Sequence, residues 1–543
     1  MPVKYFGIYL SYAPGVDLRH EGLGRYLAAF LKGISSRTDV RFIVVCPSWS
    51  KKSLEELFVS EGVQKNNFQI VSPDKEPLAL KLYELYLRRK QREKKPSILE
   101  RITGVFFRGY KALLGYLETR LVEAHSIFHV IPIILVSLLG TLVFIVCSPL
   151  LLPVIIFFAI AKVAVIARKV TRPLAGMVFR LKAALSTPKE DAFVLRLYKG
   201  MENAESKRML ALINGLAQVR AWYSPTSFWS AFNEIKAPRL MCVPDVVLAD
   251  FPIGFSNVGG ERFLRVFSEI ENTISAGENY VTYSNAVKWG TLVDRYAIEP
   301  SKVSVVYHAP NSLNSWVEVQ GTVDPEKASR ELCHELFRRA LQKSTNLQYS
   351  ARFSNLQAGF IFYASQIRPN KNVLSLLRAY EFLLRGKYIG HKLILTGNPN
   401  GMEEVAQFIK DHFLENDVLC VQGLTVQELA ACYKLADLAV NPSLSEGGCP
   451  FTFTEALSVA TPVVMARIPV TEEVLADAKL QQMTFFNPYD WQDIASRIQW
   501  ALLNRDELLA VQLKAYALLS ARSWTDVVNE HIDILDTISR DNN

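Results

Sequence analysis

The sequence predicts an α/β protein of two doubly wound, parallel-sheet domains, with an α-helical insertion in the first. Three observations carry this. Short apolar runs bounded by turn residues alternate with helix-period segments toward both ends of the chain. The alternation stops between residues 76 and 190, and inside that gap 127–161 runs for 35 residues without a charged side chain. The 543 residues are half hydrophobic, 11% aromatic and 21% charged, enough to bury two or three domain cores and unlike collagen, a disulfide scaffold or a mainly disordered chain.

Taken in order, strands are predicted over Tyr5–Leu10, Phe42–Cys46 and Phe68–Pro73, with a helix over Gly24–Ile34. After Lys189 a helix near Ser206–Leu216 precedes the strand-like runs VRAWYSP, RLMCVPD, YVTYS and VSVVYHAP. Residues 1–75 and 191–310 then form one Rossmann-like domain interrupted by 76–190, and 311–357 reads as a polar, helix-rich linker. A second Rossmann-like domain over 358–515 alternates GFIFYAS, a helix Val373–Leu384, KLILTGN, a helix Glu403–Phe413, VLCVQG, a helix Val426–Leu435, LAVNPS, a helix Phe453–Val459 and PVVMA. Two such domains facing a cleft bind ligands at the carboxyl ends of their strands.

The insertion is where the charge sits. Residues 81–123 hold eleven basic and five acidic side chains, 162–189 hold seven basic and none acidic, and the stretch between holds neither. That region carries +13 of a formal net charge of +8, leaving −5 elsewhere, which fits attraction to anionic lipid headgroups better than nucleic-acid binding. As one straight helix the uncharged block would be about 52 Å long, against a hydrocarbon core of about 30 Å. Pro149 and Pro153 break it near the middle, predicting a hairpin with both ends on one side. Ile98, Ile102, Val105, Leu113, Leu117 and Leu121 recur at helical spacing among basic residues, as an interfacial helix requires. The seven cysteines are scattered without a CxxC pair and the eight histidines lack zinc spacing, which reads as reduced, cytosolic usage and not a metal or disulfide framework.

The segment richest in chemistry is NPSLSEGGCPFTFTEALSVATPVVMA, Asn441–Ala466. Gly447 and Gly448 allow close backbone approach to a ligand, the helix that follows favours anions at its start, and Glu446 and Glu455 are acceptors for sugar or ribose hydroxyls. Upstream, YASQIRPNKN places Arg368 and Lys371 just after the first strand of the second domain, where two cations can stabilise a leaving diphosphate.

These residues together resemble the retaining glycosyltransferases of family 4, which have the GT-B fold, and in particular mannosyltransferases of lipid-linked or surface glycans. The family's paired glutamates and EAxxxGxPVV correspond to Glu446, Glu455, Ala456 and Thr461–Val464, with eight residues rather than seven between the glutamates and Ala460 in place of glycine. The resemblance implies that Glu446 contacts the donor sugar, Glu455 the ribose, and the backbone of Gly448, Cys449, Pro450 and Phe451 the sugar and phosphates. Gly397 in LILTGN belongs to the same sheet edge, and Gly423 and Leu424 should face the base. In the first domain Gly22 and Gly24 in EGLGRYL would lie near donor phosphate and acceptor. Asp245 follows Pro244 where relatives have His-Asp, and His308 would lie near the crossover between domains. Residues 516–543, with Trp524, should cross back to the first domain.

Asp245 and Asp250 form no persuasive metal motif, so neither metal nor cofactor is expected. The reading is a membrane-associated retaining hexosyltransferase on the cytoplasmic face of a bacterial inner membrane. It would take a nucleotide-sugar donor, GDP-mannose favoured over a UDP-hexose, and a lipid-linked or cell-surface polysaccharide acceptor. The alternative class is a non-catalytic nucleotide-sugar-binding membrane scaffold.

Overall fold

The computed structural model describes residues 3–91 and 193–541, apart from 17, 19–21, 36, 65, 260 and 347–357. The apolar block 127–161, its prolines and the amphipathic segment before it lie outside the described residues, and among the described residues no helix is long and apolar enough to cross a membrane. The chain divides into two compact units, 1–75 with 205–543, and 76–204. The second unit runs past the expected boundary at 190, and the division falls within the helix Phe193–Asn214.

Within the larger unit, seven strands form the first sheet: β1 (Lys4–Tyr9), β2 (Val40–Val45), β3 (Phe68–Val71), β4 (Val219–Ser224), β5 (Arg239–Cys242), β6 (Asn279–Thr282) and β7 (Val303–Val305). Their order is β3-β2-β1-β4-β5-β6-β7 and every pairing is parallel. Six strands form the second sheet: β8 (Phe360–Tyr363), β9 (Lys392–Thr396), β10 (Val418–Val421), β11 (Leu438–Asn441), β12 (Val463–Ala466) and β13 (Phe485–Phe486). They are also all parallel, in the order β10-β9-β8-β11-β12-β13. Helices cover both faces, so the strands are apolar throughout rather than alternating: all four residues of β8, β10, β11 and β12 are buried.

Each sheet reverses its winding direction once. In the first, β1 runs on to β2 and β3 on one side while β4 to β7 lie on the other; in the second, the same break falls between β8 and β11. Loops leaving the carboxyl ends of such a strand pair diverge to opposite faces and leave a crevice between them, the usual ligand position in open parallel sheets.

Residues 516–543 do not cross between domains as one piece. The helix Arg505–Leu519 first ends in the second domain, where its Leu508 lies in the core, and the crossing helix runs Trp524–Asp541. It buries Val527, Val528, Ile532 and Leu535 in the first domain's core beside Phe30, Phe42 and Tyr223. The approach is close: a Cβ on Gly33 would overlap the carbonyl of Trp524.

Candidate functional site

The cationic and acidic candidates of the second domain meet at its crevice because they leave the two strands that flank it. After β8 the chain passes Arg368, makes a short 3-10 turn over Pro369–Lys371, and enters the helix Val373–Gly386 from Asn372, whose left-handed backbone (φ 52°) turns the chain sharply. After β11 the loop Pro442–Pro450 comes back over it. The loops are knitted by backbone, Leu444 N–H donating to the Asn370 carbonyl at 2.8 Å. Lys371 Nζ then reaches Glu446 Oε1 at 2.8 Å and Ser443 Oγ at 3.3 Å. Arg368 stands at the edge of this group, its guanidinium bonded to Gln366.

The glycine turn is shaped by the first domain. A Cβ on Gly447 would overlap the Pro244 carbonyl, and one on Gly448 would sit 2.8 Å from His308 Cδ2 and 2.9 Å from Tyr283 Cβ. Ser284 Oγ donates to the Gly447 carbonyl at 3.0 Å, fixing the turn from across the cleft. The helix Pro252–Gly259 also touches the second domain, where a Cβ on Gly254 would lie 2.8 Å from Pro369 Cβ. The two glycines are thus required as much by contact between domains as by any ligand.

Asp245, next to Pro244, lies in the field of the same cluster. Burial raises its carboxyl to about 6; Lys371 opposes the rise, Glu446 and Asp250 add to it, and Arg368 lowers it. Asp250 is itself paired with Arg295 at 2.8 Å. His308 packs as a wall of the glycine turn, 3.8 Å from the Tyr283 ring and 5.3 Å from Phe451. Burial first, then the charges of His531 and Arg522, push its imidazole down to about 3. It is neutral at ordinary pH. Cys449 is a free thiol pushed up to about 12 by burial and then by the Glu446 charge.

Glu455, in the helix Phe451–Ser458, is 2% exposed and its Oε1 accepts from Arg25 Nη1 at 2.7 Å and from Asn311 Nδ2 at 3.0 Å. Arg25 belongs to the first-domain helix Gly22–Gly33 and Asn311 to the crossover between domains. Gly22 and Gly24 lie within the first turn of that helix rather than in the turn before it. A Cβ on Gly24 would overlap the Leu18 carbonyl, whereas Gly22 faces open space.

The remaining candidates are placed at the sheet's edge. Gly397 follows β9 at φ 147°, with its N–H bonded to Val421, and Gly423 follows β10 at φ 60°. The Gly423 carbonyl already accepts from Lys343 Nζ at 2.8 Å, and Leu424 packs against the core. Behind the glycine turn a cavity of about 310 Å³ is lined by Tyr307, His308, Cys449, Phe451, Glu473 and Arg522 among others, but not by Arg368, Lys371 or Glu446. It lies at the crossovers, apart from those three side chains. Among the described residues no group of three or more His, Cys, Asp or Glu side chains is arranged to hold a metal ion.

Residues 350–518, which contain Arg368, Lys371, Glu446 and Glu455, match the family model described as Glycosyl transferases group 1. Over 180 residues the chain is 31% identical to the Serotype-specific mannosyltransferase WbdA of Escherichia coli, which covers 32% of this chain and 21% of that protein. It is 27% identical over 177 residues to the O-antigen chain mannosyltransferase B of Escherichia coli, covering 32% of this chain and 45% of that one. The chain thus spans about a fifth of the length of the first relative. The fold is shared more widely. Anabaena Alr3699/HepE, solved in complex with UDP and glucose, superposes with a TM-score of 0.52 at 11% identity, covering 98% of this chain and all of that one. A glycosyltransferase from Rickettsia africae ESF-5 gives 0.50 at 12% identity, covering 99% of each. The matched segment therefore sits in a GT-B-like, two-sheet fold.

Sequence reasoning missed the partners of this domain from the first domain, Arg25 and Ser284, and from the crossover, Asn311, and also Glu473, which accepts from Asn285 N (2.7 Å), Ala286 N (2.8 Å) and Tyr307 Oη (2.7 Å). Only Arg25 had a local signal, lying one residue beyond Gly24 in EGLGRYL.

Proposed function

We propose that the chain is a retaining hexosyltransferase that moves a hexose, with mannose from GDP-mannose favoured, to a hydroxyl of a lipid-linked or cell-surface polysaccharide. The observation that carries this reading is the Lys371–Glu446 pair at the crevice between β8 and β11, inside the group 1 domain. The mannosyltransferase relatives align over a third of the chain and favour the donor. In the reaction, the bond from the hexose anomeric carbon to the diphosphate oxygen breaks and its electron pair leaves with the nucleoside diphosphate. Lys371 and Arg368 stabilise the growing charge. The acceptor oxygen bonds to the anomeric carbon from the same face, and its proton passes to the departing phosphate oxygen. Glu446 orients the hexose, and Glu455 the ribose. No metal is assigned a role.

The basic, uncharged-centred insertion supports a place at the cytoplasmic face of a membrane, where anionic lipids would hold the cleft near a lipid-linked acceptor.

The test is a donor panel with the full chain in detergent and lipid, following nucleoside diphosphate release and sugar transfer to a lipid-linked acceptor. GDP-mannose should turn over fastest. Absence of turnover with every GDP- and UDP-hexose, by folded protein with acceptor present, overturns the reading. For the insertion, protease applied to sealed vesicles should cut near Lys95 and Lys182 from one face; cutting from opposite faces breaks the hairpin.

A further inference from the structure

We infer that Arg25 is a positioning residue for Glu455, through which the first domain sets how strongly the second distinguishes a ribonucleotide from a deoxyribonucleotide. The inference rests on the reading of Glu455 as the ribose acceptor and adds a residue outside the segment that matches the group 1 model.

Glu455 is a carboxylate withdrawn from water, 2% exposed, and such a group stays ionised and oriented only with a partner. Arg25 is that partner, 430 positions away in sequence and 2.7 Å away in space. The Glu455 charge raises the Arg25 guanidinium against the lowering effect of its own burial, so the guanidinium stays charged. Both donors to Glu455, from Arg25 and from Asn311, land on Oε1. A carboxylate has about four acceptor positions, so Oε2 keeps its capacity for a hydroxyl. In a site shielded from water, a hydroxyl on Oε2 counts for more than on the surface. Neither donor comes from the second domain's own sheet. The carboxylate is therefore aimed only when the first domain and the crossover stand against it, and ribose recognition becomes a property of the assembled cleft.

A merely structural tie would weaken binding of all nucleotides alike. A positioning role acts on the ribose hydroxyl alone. The experiment is calorimetric titration of the full chain with GDP and 2′-deoxy-GDP, repeated with UDP and 2′-deoxy-UDP, for wild type, Arg25→Met, Arg25→Gln, Arg25→Lys and Glu455→Gln. In wild type the ribonucleotide should bind more tightly. Arg25→Met should shrink the ribo-to-deoxy ratio by roughly tenfold, the loss of one charge-assisted contact, while leaving deoxynucleotide affinity within about twofold. Arg25→Lys should restore part of the ratio. An unchanged ratio in Arg25→Met, or in Arg25→Gln if the methionine variant melts early, overturns the inference whatever happens to overall affinity. An unchanged ratio in Glu455→Gln overturns instead the assignment of Glu455 to the ribose, and the inference falls with it.

Discussion

The two sheets have the same architecture and the same break in winding, yet they bring different things to the cleft. At the crevice of the second, the loops present charge: Arg368 and Lys371 after β8, Glu446 after β11. Facing them, the first domain presents shape: the Pro244 carbonyl against Gly447, Tyr283 and a neutral His308 against Gly448, and the Ser284 hydroxyl on the Gly447 carbonyl. Chemistry needs particular side chains at fixed spacing, and shape needs only that backbone and rings arrive in the right place. Motifs therefore accumulate in one domain, while the other contributes through contacts that many sequences could make.

The largest effect should come from breaking the charged side. Lys371→Ala is expected to lower turnover at saturating donor by about 10²–10³-fold with the melting transition little changed. Turnover at the wild-type rate would remove Lys371 from the chemistry. Breaking the shaped side comes next. Gly447→Ala puts a methyl group into the Pro244 carbonyl, and since backbone cannot yield, the domains must part by a fraction of an ångström or more. Misplacement on that scale costs on the order of 10²-fold in rate. Nucleotide affinity should fall by no more than the roughly tenfold that loss of the Arg25–Glu455 contact would bring; a loss of affinity matching the loss of rate would erase the proposed division of labour.

Asp245 tests the meeting of the two sides more gently. Its carboxyl is raised to about 6 by burial, so between the ordinary carboxylate range and about pH 6 the folded protein holds a proton that the unfolded chain has lost. Stability from this group therefore falls as pH rises through that window, while its ionised, acceptor form appears. A kcat/KM profile should rise severalfold around pH 6 and flatten in Asp245→Asn, and an unchanged profile would mean that Asp245 does not face the substrate. The smallest effect is at Glu473. Burial acts to raise its carboxyl, but hydrogen bonds from Asn285, Tyr307 and Ala286 outweigh it and hold it below the ordinary value. This contribution is complete above the ordinary carboxylate value and is lost as pH falls through the lowered one. Glu473→Gln should cost about 1 kcal/mol by denaturant titration near neutral pH and less in acid.

How legible these features were in sequence depends on how far apart their parts lie. The helix Val426–Leu435 has the bounds its sequence predicts because Thr425 and Glu428 form a reciprocal capping box within four residues. The helix at the glycine turn begins at Phe451, two residues before the apolar pattern, because Pro450 at its N-cap sets the entry and no side chain caps it. β13 is only Phe485–Phe486, too short to show a period. The Lys371–Glu446 meeting was readable because both residues belong to a motif and leave adjacent strands. Arg25–Glu455 was not, since nothing local to either residue names the other, and the contact exists only after both domains and the crossover have folded.

The helix Trp524–Asp541 has a consequence for the order in which the chain can fold. β1 pairs with β4, Tyr5 opposite Val219, so the centre of the first sheet waits for the whole insertion to be synthesised. Its core waits longer still, for Val527, Val528, Ile532 and Leu535. A nascent first domain therefore stands with one face of Phe30 and Tyr223 uncovered while the second domain, built from sequence-local β-α units, is able to close. The domain translated first is completed last.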